Sequence, residues 1–160
     1  MADGYDVGLA CTNGHKVNGS STHMPEFNAK FCPDCGAQAI STCPQCETAI
    51  RGTYWGGALN TSPWVPSAFC HECGAPYPWT VNRLAAARAV AEDADSLSAD
   101  EQTALAATFD DLLRDTPMTP VAVNRFKKLA AKAGLSTASA LREVLIGVIS
   151  EGAKRSLWGL

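Results

Sequence analysis

The chain has 160 residues, 46 % of them hydrophobic and 18 % charged, which fits one or two small folded domains and excludes a disordered tail or a large multidomain enzyme. Its formal charge of −3 argues against a broadly basic nucleic-acid binder, and no run reaches the ~18 apolar residues of a membrane span. The N-terminal MADGYDVGLA lacks the basic and apolar regions of a secretory signal, so a cytoplasmic protein with reduced thiols is expected.

All seven cysteines lie between Cys11 and Cys73. An odd number leaves a thiol over in any disulfide framework, which favours metal ligation. Four paired elements follow one another: Cys11-Thr-Asn-Gly-His15, Cys32-Pro-Asp-Cys35, Cys43-Pro-Gln-Cys46 and Cys70-His-Glu-Cys73. A two-residue gap lets both sulfurs face one ion, and Gly14, Gly36 and Gly74 allow the backbone to turn tightly there. One CxxC alone is compatible with a redox dithiol; three, with a Cys-x-x-x-His, indicate zinc. His15 supplies the eighth donor, so two closed four-ligand sites are expected. Cys11, His15, Cys32 and Cys35 form the first, and Cys43, Cys46, Cys70 and Cys73 the second. Seven residues separate Cys35 from Cys43, a connector suited to sequential modules; the alternative is a cross-braced pairing of first with third and second with fourth.

A catalytic zinc keeps an open position for water, whereas both of these sites are filled by protein, so the expected role is structural and the chain is not expected to be an enzyme. Glu72 is no deaminase base, because the H-x-E order that accompanies a later P-C-x-x-C is missing around it. His71 sits between two ligating cysteines and points outward in this reading, and His23 lies in a polar loop as an alternative to His15. Iron in the all-cysteine site is the chemical alternative to zinc.

Half of the aromatic residues lie between Tyr54 and Trp79, as expected of a small metal domain that builds its core from large rings. The stretch 51–68, RGTYWGGALNTSPWVPS with the following Ala68, reads as a long loop between the halves of the second site. Its tip is a candidate partner-binding surface with Trp55 and Trp64 as anchors.

After Tyr77-Pro78-Trp79 the chain becomes rich in Ala and Leu, and four helices are predicted. The first covers about Val81 to Ala91. The second starts at Ser98, which forms a capping box with Glu101, and displays Leu105, Phe109, Leu112 and Leu113. The third opens at Thr119-Pro120, runs along Ala122, Phe126, Leu129, Ala130 and Ala133, and stops at Gly134. The fourth starts near Ser136, carries Leu141, Val144, Leu145, Val148 and Ile149, and continues to Leu157. Such a set predicts a small antiparallel bundle. From Glu92 to Asp115 eight acids face one base, Arg114; from Pro120 onward seven bases, Lys127 and Lys128 among them, face two acids. Attraction between helices is the plain reading, and a basic face for nucleic acid the alternative. The uncharged run Val144–Ser150, with Trp158 beyond it, suits a buried helix, with self-association or a membrane surface as the other readings.

The motifs Cys11-Thr-Asn-Gly-His15, Phe31-Cys-Pro-Asp-Cys-Gly36, Cys43-Pro-Gln-Cys46 and Phe69-Cys-His-Glu-Cys-Gly-Ala-Pro-Tyr-Pro-Trp79, with the alanine-rich tail, resemble an uncharacterised bacterial family of small tandem zinc-ribbon proteins. The resemblance implies two metal sites in a bacterial cytoplasmic protein and brings no established activity.

The expected fold is therefore a small metal-stabilised α+β protein. Residues 1–80 form a double zinc ribbon of short β-hairpins with two Zn²⁺, and residues 81–160 form a four-helix region. The expected function is a non-enzymatic adaptor or scaffold that binds a protein partner or itself through ribbon loops and C-terminal helices. A nucleic-acid-binding accessory factor using Lys127 and Lys128 is the alternative, and membrane association is not expected. Seven thiolates and two Zn²⁺ would take the charge from −3 to about −6, leaving any polyanion contact to a local basic face.

Overall fold

The computed structural model describes residues 4–56 and 63–160. Contacts divide the chain into two compact units, Met1–Val81 and Asn82–Leu160. The architecture is mixed α+β.

The first unit is built from very short strands: β1 (Gly4–Val7), β2 (Leu9–Cys11), β3 (Lys16–Asn18), β4 (Ala39–Ile40) and β5 (Arg51–Trp55). Antiparallel β1 and β5 make one sheet, and β3-β2-β4 make the other. Backbone approaches backbone closely at Gly52. A Cβ on Gly52 would stand 2.2 Å from the Gly19 carbonyl oxygen and 2.8 Å from the Gly8 nitrogen, so only hydrogen fits. Stretch 51–68 is thus not loop throughout. Arg51–Trp55 pairs with β1, opposing Tyr54 to Tyr5, and its Thr53, Tyr54 and Trp55 are β-branched and aromatic residues that favour a strand. The loop tip, 57–62, lies outside the described residues.

Few aliphatic side chains are buried in this unit. Besides Leu9, Ala10 and Ile50, the buried hydrophobic set among the described residues consists of Cys11, Cys32, Cys43, Cys70, Tyr77 and Trp79. Asp6 is a buried polar exception. It accepts hydrogen bonds from the backbone N–H of Val7, Thr22 and His23, from His23 Nδ1 and from Trp55 Nε1. Burial alone would raise its pKa, yet these donors, Thr22 N–H foremost, hold it down at about 2.

The second unit is helical. Helix α1 (Pro78–Glu92) begins in the first unit; α2 (Ala99–Leu112), α3 (Thr119–Ala133), α4 (Leu135–Leu145) and α5 (Glu151–Trp158) follow. The Ser98–Glu101 capping box forms with both hydrogen bonds. Phe109 of α2 meets Phe126 of α3 edge to face at 6.4 Å, and Leu105, Leu112, Leu141 and Leu145 are wholly buried.

The fourth predicted helix is two helices, giving five in place of four. Arg83 donates to the Val144 carbonyl at the end of α4, as a cation at a helix C-terminus should. Val148 and Ile149 are then buried from a turn. Ser150 starts α5: its backbone N–H donates to the Leu112 carbonyl and its hydroxyl to Asp115, while its Oγ accepts from Ala153 N–H. The uncharged run reads as one apolar helix face, but Ser150 offers the backbone a cap there instead. Among the described residues no helix is long and apolar enough to cross a membrane.

Ser150→Ala removes this cap and should lower helical-unit stability by about 1–2 kcal/mol, read by urea denaturation followed by circular dichroism. Ser136→Ala, at an exposed position of α4, should change it by less than ~0.5 kcal/mol.

Candidate metal centres

Each candidate ligand pair sits at the tip of a minimal hairpin. Single antiparallel bridges, Phe31 with Gln38, Thr42 with Ala49 and Phe69 with Pro76, flank the three CxxC turns. The first pair lies between β2 and β3. The three CxxC turns share one hydrogen-bond scheme. In them the N–H after the second cysteine returns to the first cysteine's carbonyl, as from Gly36, Glu47 and Gly74; in the first turn Gly14 N–H returns to the Cys11 carbonyl across one residue fewer. The donors Gly14, Gly36 and Gly74 have φ of 87°, 73° and 72°, the left-handed conformation that glycine adopts without strain. Glu47, with φ 62°, holds the same position in the third turn.

The turns meet in two groups, Cys11 with His15, Cys32 and Cys35, and Cys43 with Cys46, Cys70 and Cys73, with all ligand atoms in a group within 4.8 Å of one another. The grouping is sequential rather than cross-braced. Sγ–Sγ separations are 3.8 Å for Cys11–Cys35, 3.8 Å for Cys43–Cys73 and 3.7 Å for Cys46–Cys70. A disulfide needs about 2.05 Å. A tetrahedral ion bound about 2.3 Å from each sulfur places its ligands about 3.8 Å apart. His15 presents Nδ1, 3.5 Å from Cys11 Sγ and 3.6 Å from Cys32 Sγ, close to the ~3.6 Å edge expected between sulfur and imidazole nitrogen on the same ion. Both groups fit a four-coordinate metal, and each is able to hold one ion.

Donors around the sulfurs prepare them for ligation. His15 N–H points to Cys11, the Asn13 amide to Cys35 and Glu72 N–H to Cys70. The Asn13 amide, followed by Ala37 N–H, draws the Cys35 thiol down to about 6; Cys73 N–H draws Cys70 to about 6 as well. A ligand must ionise before it binds, so these contacts lower that cost at Cys35 and Cys70, whereas burial pushes the Cys11 thiol up, and burial with the neighbouring sulfurs pushes Cys73 up to about 12. The buried Tyr77 phenol hydrogen-bonds the Cys70 side chain; burial first, and this contact second, push its own pKa well above the ordinary value.

Tyr77 also joins the two centres. Its ring stacks on Trp79 at 4.6 Å, and Trp79 lies against Gly14 of the first centre so closely that a Cβ there would be 2.8 Å from Trp79 Cβ. The Trp79 indole donates to the Ser67 carbonyl and the Thr80 hydroxyl to the Ala68 carbonyl.

The other histidines stand outside the clusters: His23 is paired with Asp6, and His71 is exposed. The Trp55 indole donates to Asp6 and the Trp64 indole to the Arg51 carbonyl; both rings are half-buried and brace the unit. Lys127 and Lys128 are exposed on α3.

A family model described as an uncharacterized protein conserved in bacteria (DUF2321) matches residues 4–157. The chain belongs to this family. No curated protein and no solved structure matches it. Within this DUF2321 member, Glu47 was the one knuckle residue that motif reading passed over; its signal was the absent glycine after Cys43-Pro-Gln-Cys46, where the other two CxxC turns have Gly36 and Gly74.

Left-handed backbone costs a non-glycine residue about 1–2 kcal/mol, and glycine loses about 0.5–1 kcal/mol to its freer unfolded chain. Glu47→Gly should therefore leave thermal stability unchanged or raise it by up to ~1 kcal/mol, whereas Gly36→Ala and Gly74→Ala should each lower it by about 1–2 kcal/mol. Destabilisation by Glu47→Gly would show that its side chain, not its backbone, governs the turn.

Proposed function

We propose that this protein is a non-enzymatic, cytoplasmic zinc-binding adaptor: two structural Zn²⁺ hold the first unit rigid, and its surface receives a protein partner. The observation that carries the reading is the completeness of both clusters. Three sulfurs and one imidazole in the first, and four sulfurs in the second, occupy every position of a tetrahedral ion, leaving none for water or substrate. Thiolate and imidazole donors in this geometry suit zinc, a d¹⁰ ion without redox chemistry, and their reduced state suits the cytoplasm. Exposed aromatic rings support a binding role: Tyr5 and Tyr54 pair across β1 and β5 at 5.0 Å, and Phe27 and Phe31 are more than half exposed. Large rings held out of the core at the cost of hydration are characteristic anchors of protein interfaces. Leu135, 89 % exposed at the start of α4, supports self-association of the helical unit as a further expression of the adaptor role.

Protein purified without chelator should contain two zinc per chain and be colourless; iron would give a coloured sample. His15→Ala should reduce the content to about one. Chelation should unfold the first unit, where a structural zinc supplies on the order of 10 kcal/mol, while the helical circular dichroism largely survives. Two bound metals that can be stripped without structural loss would overturn the structural role.

One observation favours a nucleic-acid role as the second reading. Arg125, Lys127 and Lys128 are exposed on α3, and among the described residues no carboxylate forms an ion pair with them, unlike Lys132 with Glu101. In that case, binding to a mixed-sequence RNA or DNA duplex weakens steeply with salt and drops at least tenfold on joint Lys127→Glu and Lys128→Glu substitution. Binding insensitive to both would leave the adaptor reading alone.

A further inference from the structure

The first unit has a groove of about 210 Å³ beside the second metal centre, with Tyr5, Arg51, Trp64, Val65, Phe69 and His71 among its lining residues. We propose that this groove is the docking site for a short peptide segment of the partner that carries a carboxylate next to a large apolar side chain. The proposal rests on the adaptor reading and says where, and by what chemistry, the partner is gripped.

Charge complementarity selects the carboxylate. Among the described residues no acidic side chain lines the groove. The permanent cation is Arg51, exposed on β5, and among the described residues no carboxylate forms an ion pair with it. Its guanidinium lies over the Tyr5 ring, 4.7 Å from the centroid, which fixes the side chain while leaving its fork of N–H donors for a ligand. A planar fork matches a carboxylate with two parallel hydrogen bonds. His71 adds an imidazole able to donate from its N–H at the rim.

Shape selects the apolar neighbour. Trp64 forms a fixed wall: its indole N–H is tied to the Arg51 carbonyl, and its ring is seated where a Cβ on Gly8 would come within 2.4 Å of it. Val65, 67 % exposed, continues the apolar surface. The volume is below the ~300 Å³ at which small-molecule pockets begin, so it suits one or two side chains rather than a whole cofactor. A nucleotide would bring several phosphate charges to a single permanent cation, a poor match; a single peptide carboxylate balances it.

The test uses full-length, zinc-loaded, ¹⁵N-labelled protein titrated with acetyl-Ala-Asp-Leu-Ala-amide and with its neutral counterpart acetyl-Ala-Asn-Leu-Ala-amide. Saturable shifts of the Arg51, Gly52, Val65 and His71 amides are expected, in the millimolar range, with the acidic peptide at least fivefold tighter. Arg51→Gln should abolish that preference and Arg51→Lys retain part of it. Equal affinities for the two peptides, shifts confined to other surfaces, or a preference for adenosine monophosphate over the acidic peptide would each overturn the proposal; the peptide comparison stands on the wild-type protein even if a variant fails to fold. Zinc content and spectral dispersion of the same sample report on the metal platform separately. Two zinc per chain with motionless groove resonances defeats the groove assignment alone, whereas a folded protein without zinc defeats the platform reading.

Discussion

Four soft donors held within 4.8 Å of one another, twice over, are the constraint around which the first unit is organised. Four thiols cannot ionise together at sulfur separations of 3.7–3.8 Å without a cation to offset their repulsion, and as neutral thiols they attract one another only weakly. A divalent metal would resolve both problems. It would also compensate for a core that, among the described residues, contains little besides cysteine, two aromatic rings and three aliphatic residues. Small units with so little apolar burial depend on metals or crosslinks for stability.

The Tyr77–Trp79 stack extends that constraint from a pair of sites to a single body. Tyr77 contacts a sulfur of the second centre and Trp79 packs on the turn of the first, so two stacked, buried rings bridge the centres. The segment has a further consequence. Pro78 occupies the first position of α1, where its missing N–H breaks no helical bond, so the helix begins within the first unit. The three glycines at 8, 19 and 52 do complementary work, letting strands and the Trp64 ring approach backbone that any Cβ would keep apart. The groove between Arg51 and Trp64 is a product of that close approach.

The helical unit obeys a different logic. Its buried Leu, Phe and Ala residues form an apolar core, and its boundaries are set by local hydrogen-bonding choices. Ser98, Gly134 and Ser150 mark starts and stops. Of these, Ser98 and Gly134 were readable because a capping partner or a lone glycine signals itself at fixed spacing. Ser150 was hidden, since its neighbours Val148 and Ile149 are apolar in helix and turn alike, and its decisive partners, Asp115 and the Leu112 carbonyl, are distant in sequence.

The sequence by itself determined the candidate ligand set, because thiolate and imidazole chemistry demands particular residue types at turn-length spacing, and counting seven cysteines points to the eighth donor. It also determined the division between a cysteine-rich part and a helical part, which composition records directly. Tertiary structure alone decided which pairs come together, that Glu47 adopts a glycine's backbone, that Trp55 and Trp64 turn their indoles to Asp6 and the Arg51 carbonyl, and that β5 rather than a loop follows Ile50. Each depends on contacts between residues far apart in the chain, where local propensity is weak and the gathering of sulfur and imidazole donors or the fit of a ring against glycine outweighs it.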